Sequence, residues 1–259
     1  KINWKPKSQN IQEIVDELNI GLNSVIFLDD SLFEIAEVKD ALDIDTIKIS
    51  KGDPFKNIMN LNSELSLKTM NVTEEDKKKH DLYKTQNKRI QHKTHSLSIE
   101  DYLTSLDMIL SISINDISKV KRITQLINKT NQFNLTTKRY SESDVTRLIQ
   151  EHTVYSFNLL DKFGDLGLIA VVIIINGNID NFLISCRALG RNLEYKILFL
   201  ITNSSKDNLI SQYIETAKNK QVIDFYDKFS IKTIRNENIT TYHLSKDNIF
   251  DVAYIKVMK

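Results

Sequence analysis

Cysteine is almost missing from this sequence, with Cys186 the only one in 259 residues. A lone thiol makes no intrachain disulfide, so nothing argues for an oxidising compartment. Glycine and proline are scarce as well, at six and two, where ordinary usage is about 7% and 5%. Collagen-like and linker-like chains are thereby excluded, and long regular elements are expected. No excess of one charge exists either: Lys plus Arg is 35 and Asp plus Glu is 34. A net charge of +1 removes the generic case for nucleic acid, which needs a clustered basic face. Long hydrophobic runs are also lacking. The longest, LGLIAVVIII at 166–175, is about half of what a membrane-spanning helix needs. It reads as a buried strand. With 41% hydrophobic and 27% charged residues, a globular cytoplasmic protein without membrane partners is expected. The first residue is Lys and not Met, which fits a processed or cut chain, a missing N-terminal portion among the readings.

What is present alternates. SQNIQEIVDELNI places Ile11, Ile14, Val15 and Leu18 on one helical face, with Ser8 as candidate N-cap. SVIFLDD is a short strand stopped by two carboxylates, SLFEIAEVKDAL a helix with Leu32, Ile35, Ala36 and Val38 apolar, and DTIKIS a second strand. Such βαβ alternation predicts a parallel sheet. Residues from 53 to 96 are highly charged and read as an exposed, solvated helix. His80, His92 and His95 lie there without ligand spacing and read as surface residues. From Ser98 onward, SIEDYLTSL, NDISKVKRITQLINKTNQ, SESDVTRLIQEH, NLEYKILFLITNS and KNKQVIDFYDKF read as helices. Ser98 with Asp101, and Asn115 or Asp116, are the candidate caps. MILSISI, VYSFNLLDKF, LGLIAVVIII and IDNFLISCRAL read as strands, with shorter ones near QYIE, TTYHL and VAYIKV. The expected class is α/β, a partial parallel domain followed by an α+β domain with a mixed, largely antiparallel sheet.

Chemistry can sit first at Asp29-Asp30. Carboxylates at the C-terminal end of a parallel strand face the crevice where α/β proteins bind ligands. Adjacent carboxylates repel, and Mg²⁺, a hard cation with oxygen ligands, resolves the conflict. The alternative is that Asp30 caps the helix near Ser31. Lys7, upstream at a helix start, can neutralise a phosphate. Cys186 beside Arg187 is an acyl-carrying nucleophile or a small buried hydrophobe. His152 is a base or a helix C-terminal cation. Asp165, between two glycines, marks a hairpin turn or lines an acyl site.

Two blocks of sequence resemble a known family. NWKPKSQNI with LNIGLNSVIFLDDSLFEIAEV resembles the C-terminal part of a haloacid dehalogenase-type phosphatase core, in the version found in FkbH-like proteins. YLTSLDMILSI, RITQLINKTNQFNLTTKRYSESDV, LLDKFGDLGLIAVVII, NFLISCRALGRNLEY and TAKNKQVIDFYDKFSI resemble the C-terminal half of the same proteins. Together they cover nearly the whole chain. The resemblance implies a partial phosphatase domain over residues 1–65, a helical connector over 66–130 and a GNAT-like acyltransferase domain over 131–259. It implies that Asp30 contacts Mg²⁺, that Asp29 or Glu34 supports it, and that Lys7 orients the phosphoryl group. The nucleophile of the family belongs to a DxDxT motif, which this sequence lacks. This chain by itself is therefore expected not to hydrolyse phosphate esters. FkbH-like proteins move a three-carbon acyl group from a phosphorylated donor such as 1,3-bisphosphoglycerate to an acyl carrier protein in polyketide-type biosynthesis. A transferase with a Mg²⁺-dependent phosphatase part is the implied activity.

The stretch after about residue 130 also resembles the GNAT fold. Arg187, Gly190 and Asn192 fall on its R/Q-x-x-G-x-G/A loop, which grips coenzyme A pyrophosphate at a helix N-terminus. Asn192 replaces a small residue there. Asn219 and Tyr226 stand as in the GNAT helix whose tyrosine protonates a leaving thiolate, although Ser230-Ile231 replaces the usual Gly-Phe. Tyr226 is thus a general acid or a core residue. The resemblance implies that coenzyme A, or the phosphopantetheine of a carrier protein, binds at this loop, with phosphopantetheinylated carrier preferred. A non-catalytic carrier-docking module, or a stand-alone acyl-coenzyme A transferase, is the alternative.

Overall fold

The computed structural model describes residues 1–18, 20–63, 85, 88–89, 92–94 and 96–258. His80 and His95 lie outside the described residues. The chain divides into two compact units, Lys1–Asn87 and Lys88–Lys259. No helix among the described residues is long and apolar enough to cross a membrane.

In the first unit, α1 (Lys7–Leu18) leads to β1 (Ile26–Asp29), α2 (Leu32–Ala41), β2 (Asp45–Lys48) and α3 (Pro54–Ser63). β1 and β2 are parallel, from Ile26 opposite Asp45 to Asp29 opposite Lys48. Ile11, Val15 and Val38 form the buried centre, with Phe27, Leu42 and Ile44 packed against it. Ser8 is not the N-cap of α1, which begins one residue earlier. It is buried, and both its N–H and its hydroxyl donate to the Glu37 carboxylate on α2. That pair joins the two helices across the unit's core.

The second unit is mixed α/β around one nine-stranded sheet in the order β11-β3-β5-β6-β7-β8-β10-β9, with β4 attached to β7. Its elements are α4 (Ile99–Ser105), β3 (Ile109–Ile114), α5 (Val120–Lys129), β4 (Phe133–Asn134), α6 (Glu142–Glu151), β5 (Thr153–Asp161), β6 (Gly164–Ile175), β7 (Asn178–Ile184), α7 (Leu193–Ser204), β8 (Ile210–Ile214), β9 (Ser230–Asn236), β10 (Ile239–Leu244) and β11 (Lys256–Met258). β3, β5, β6 and β7 are mutually antiparallel neighbours, as are β8, β10 and β9. β7 and β8 run parallel, and so do β3 and β11.

Alternation along β6 builds two cores. Val171 and Ile173 face α5 and α6 through Ile123, Ile127, Val145 and Leu148. Ala170 and Val172 face α7 through Leu193, Ile197 and Ile201. A strand with period two, buried on both faces, reads as the continuous apolar run seen in the sequence.

Three expectations are corrected. The connector expected over 66–130 contains β3 and α5, which belong to this sheet and its core. The boundary between compact units falls after Asn87 instead. The stretch 218–229 is not an α-helix but two 3₁₀ turns, Lys220–Val222 and Asp227–Phe229. The charged segment before residue 96 is not wholly solvated, since Arg89 is only 1% exposed.

Candidate functional site

In the first unit β1 ends at Asp29, where the parallel ladder stops. One Asp29 oxygen accepts the Ser31 N–H at 2.8 Å, which fixes the turn into α2. The α2 cap is Ser31, whose Oγ accepts the Glu34 N–H at 3.4 Å, so Asp30 is not the cap. Asp30 Oδ2 lies 2.7 Å from Lys51 Nζ. The Lys51 side chain is 89% exposed, and solvent reduces such a pair to about 0–1 kcal/mol. Asp30 is therefore a carboxylate that a stronger cation can take. Lys7 is the exposed first residue of α1. Two hard carboxylates at a strand terminus fit Mg²⁺, which binds through one or two carboxylates, waters and substrate phosphate. Among the described residues no three His, Cys, Asp or Glu side chains converge as a metal-holding group.

In the second unit the loop from β7 to α7 holds the other candidates. It makes a 3₁₀ turn at Cys186–Ala188, then passes Gly190 at φ 74° and Asn192 at φ 60°. A Cβ added at Gly190 meets nothing within 4 Å. The left-handed backbone there is what favours glycine. The side chains of the loop turn inward. Arg187 Nη2 donates to the Leu168 carbonyl at 2.9 Å, and Arg191 Nη1 to the Arg187 carbonyl at 2.5 Å. Asn192 Nδ2 donates to the Tyr254 hydroxyl at 2.7 Å. Burial pushes the Cys186 thiol up, against the pull of Arg187, which disfavours the thiolate a nucleophile needs.

Glu194 occupies the first turn of α7. Burial pushes its carboxyl up, while its own backbone N–H and then Lys228 pull it down. A carboxyl raised in the folded state contributes stability below its unfolded range, lost as pH rises through the folded value. Glu194→Gln is therefore expected to raise the melting temperature at pH 7 to 8, with the gain shrinking toward pH 4. Melting curves across that range check it, and a gain that grows on acidification would overturn it.

Asn219 is fully buried. Its Nδ2 donates to the Asn134 and Ile214 carbonyls, both at 2.9 Å. Its Oδ1 accepts from the Thr216 N–H at 2.8 Å, the Thr216 hydroxyl at 2.9 Å and the Tyr213 hydroxyl at 3.1 Å. Tyr226 is 1% exposed, with its ring 4.9 Å from Phe225 and 5.4 Å from Tyr242. Its hydroxyl faces Ser211 without a well-formed hydrogen bond, and burial holds its proton far more tightly than in water. The structure gives Tyr226 the core position of its two readings. His152 closes α6, where Asn115 binds its carbonyl. Asp165 is exposed and accepts the Gly167 N–H, so it does not face inward.

The sequence reading missed a buried charge cluster. Arg89 holds Asp161 through two bonds, Nε at 2.6 Å and Nη2 at 2.8 Å. Arg191 is buried with them, and Tyr102 borders the group. Beside it His92 is not a plain surface residue. Its Nε2 lies 2.7 Å from both Ser105 Oγ and Lys162 Nζ, and its ring packs on Phe163. No spacing rule links residues so far apart in sequence.

Between β7 and β8 only two residue pairs are in register, Asn178 with Ile210 and Ile179 with Ser211. Beyond them both strands continue with other chain between. Phe133 pairs with Ile184 and Asn134 with Leu183. Leu135 then donates its N–H to the Phe182 carbonyl at 3.1 Å and accepts the Ile214 N–H at 2.8 Å. The chain matches no protein-family model and no curated protein.

Proposed function

We propose that this chain is part of an FkbH-like acyl-loading protein. The first unit supplies the lysine and acidic-pair corner of a Mg²⁺-dependent phosphoryl site, and the second a GNAT-like domain that serves an acyl carrier protein. The donor in this reading is a small phosphorylated three-carbon acid. The observation that carries it is the parting of β7 and β8, the parallel pair at the middle of an otherwise largely antiparallel sheet, with α7 starting from the loop that follows β7. That arrangement supports the GNAT-like reading of the second unit's fold. Asp29 and Asp30 at the end of a parallel strand support the phosphoryl part. When bound there, Mg²⁺ neutralises developing charge on a phosphoryl oxygen. Asp30 and Asp29 hold it, and Lys7 offers a point charge to the phosphate.

Mg²⁺ titration of this chain in the presence of inorganic phosphate, followed by amide NMR, tests the first unit. Shifts at Asp29, Asp30 and Ser31 are expected, and Asp30→Asn is expected to weaken them about tenfold or more, through loss of an anionic ligand. Equal titration of the two proteins would remove Asp30 from the site.

A docking module without chemistry of its own is favoured, for the second unit alone, by the inward bonds of Arg187 and Asn192 and the burial of Tyr226.

A further inference from the structure

We infer that residues 133–137 permanently fill the parting between β7 and β8, so that the second unit admits no extended thioester arm there. On the carrier-protein reading proposed above, the carrier is then recognised by its protein surface and not by its phosphopantetheine.

An extended arm lying in a parted sheet needs the unpaired N–H and C=O groups along the two strand edges. Here those groups already have partners in this chain. Phe182, Leu183 and Ile184 on β7 face Phe133, Asn134 and Leu135, and Ile214 on β8 donates to Leu135. Asn219 locks the insert by donating to the Asn134 carbonyl.

The insert is core, not cover. Phe133, Asn134, Leu135 and Thr136 are all buried. The Phe133 ring lies 5.3 Å from Phe182 and 5.2 Å from Phe225, both edge-on. Further along β7, Thr136 Oγ1 donates to the Asp180 carbonyl at 3.0 Å, Lys138 Nζ lies 2.5 Å from Asp180, and Tyr140 donates to the same carboxylate. Thr137 sits at φ 53° with its N–H held by Asn134 Oδ1 at 2.9 Å. A β-branched residue keeps that backbone only where its surroundings impose it.

An independent observation comes from α7. The first turn of that helix, where a phosphate would meet the backbone N–H groups, contains an acidic residue, Glu194. The place that a pantetheine arm would use is taken by the chain's own groups, and the helix start that its phosphate would use carries an acidic residue.

Calorimetry with unmodified carrier, phosphopantetheinylated carrier and coenzyme A, combined with hydrogen exchange at the Leu135 and Ile214 amides, tests the inference. The two carrier forms are expected to bind with the same affinity within about twofold. Coenzyme A is expected to give no binding heat, and both amides to stay protected in its presence. A preference of about tenfold or more for the phosphopantetheinylated form, or coenzyme A binding with loss of protection at either amide, would overturn it. Failure of both carrier forms to bind would count against the carrier reading, while the coenzyme A and exchange results still decide whether the parting is filled.

Discussion

Asp161→Asn is expected to destabilise the second unit by about 3 to 5 kcal/mol, the usual cost of removing one partner from a buried ion pair. Asp161 is 4% exposed and Arg89 1%. The carboxylate accepts two bonds from the Arg89 guanidinium and also the Phe163 N–H at 2.9 Å. Without the negative charge, the pocket loses the carboxylate whose attraction offsets the burial of two cations, Arg89 and Arg191. A domain of ordinary stability, about 5 to 15 kcal/mol, loses a large part of it. Urea unfolding followed by circular dichroism measures the loss. Arg89→Met combined with Asp161→Leu is expected to recover most of it, because an apolar pair needs no compensating charge. A loss below about 1 kcal/mol for Asp161→Asn would mean that Arg89 escapes to water and that the cluster is no cornerstone of this unit.

Asn219→Ala is expected to cost about 3 kcal/mol in the same assay. Five bonds disappear together, and a buried group left without a partner costs about 1 to 3 kcal/mol, less than additively when neighbours relax. The Asn134 and Ile214 carbonyls lose the Asn219 donor and Thr216 loses its acceptor, while the Tyr213 hydroxyl keeps the Asn219 backbone carbonyl at 3.2 Å. Asn219→Asp separates the two halves of that role, since it keeps the acceptor and removes the donors. It is expected to free the insert at Asn134 while leaving the Thr216 turn in place. A loss for Asn219→Ala below about 1 kcal/mol would show that the side chain is not what holds 133–135 between the strands.

What the sequence discloses follows the range of the physics. Val120, Ile123 and Ile127 recur at helical spacing because one helix face must be buried, and they are buried on α5. The run at 166–175 is apolar throughout because β6 has a helix layer on each face. Asp29-Asp30 was visible because an apolar strand stops there. The stretch 218–229 misled because Val222, Phe225 and Phe229 are spaced as on a helix. Packing of Phe225 and Phe229 with Tyr195, and the grip of Asn219 on Thr216, set 3₁₀ turns instead. Tertiary context overrode propensity. The insert at Phe133–Asn134 had no period to read, being two residues long. Arg89 with Asp161 lay out of reach for a related reason. A charged segment reads as solvated until its distant partner is known, and nothing local names that partner.

The outermost strand of the large sheet has a consequence for how the protein is made. β11 pairs with β3 through Lys256 opposite Ile109, and the Lys256 N–H closes on the Met108 carbonyl at 2.9 Å. During synthesis β3 is finished long before β11 exists. Until residues 256–258 leave the ribosome, the outer edge of β3 stands open, an invitation to pair with any neighbouring chain. Ile109 and Leu110 sit on that edge strand, so nascent copies on one message are exposed to edge-to-edge capture. Residues 256–258 then cover that edge of β3.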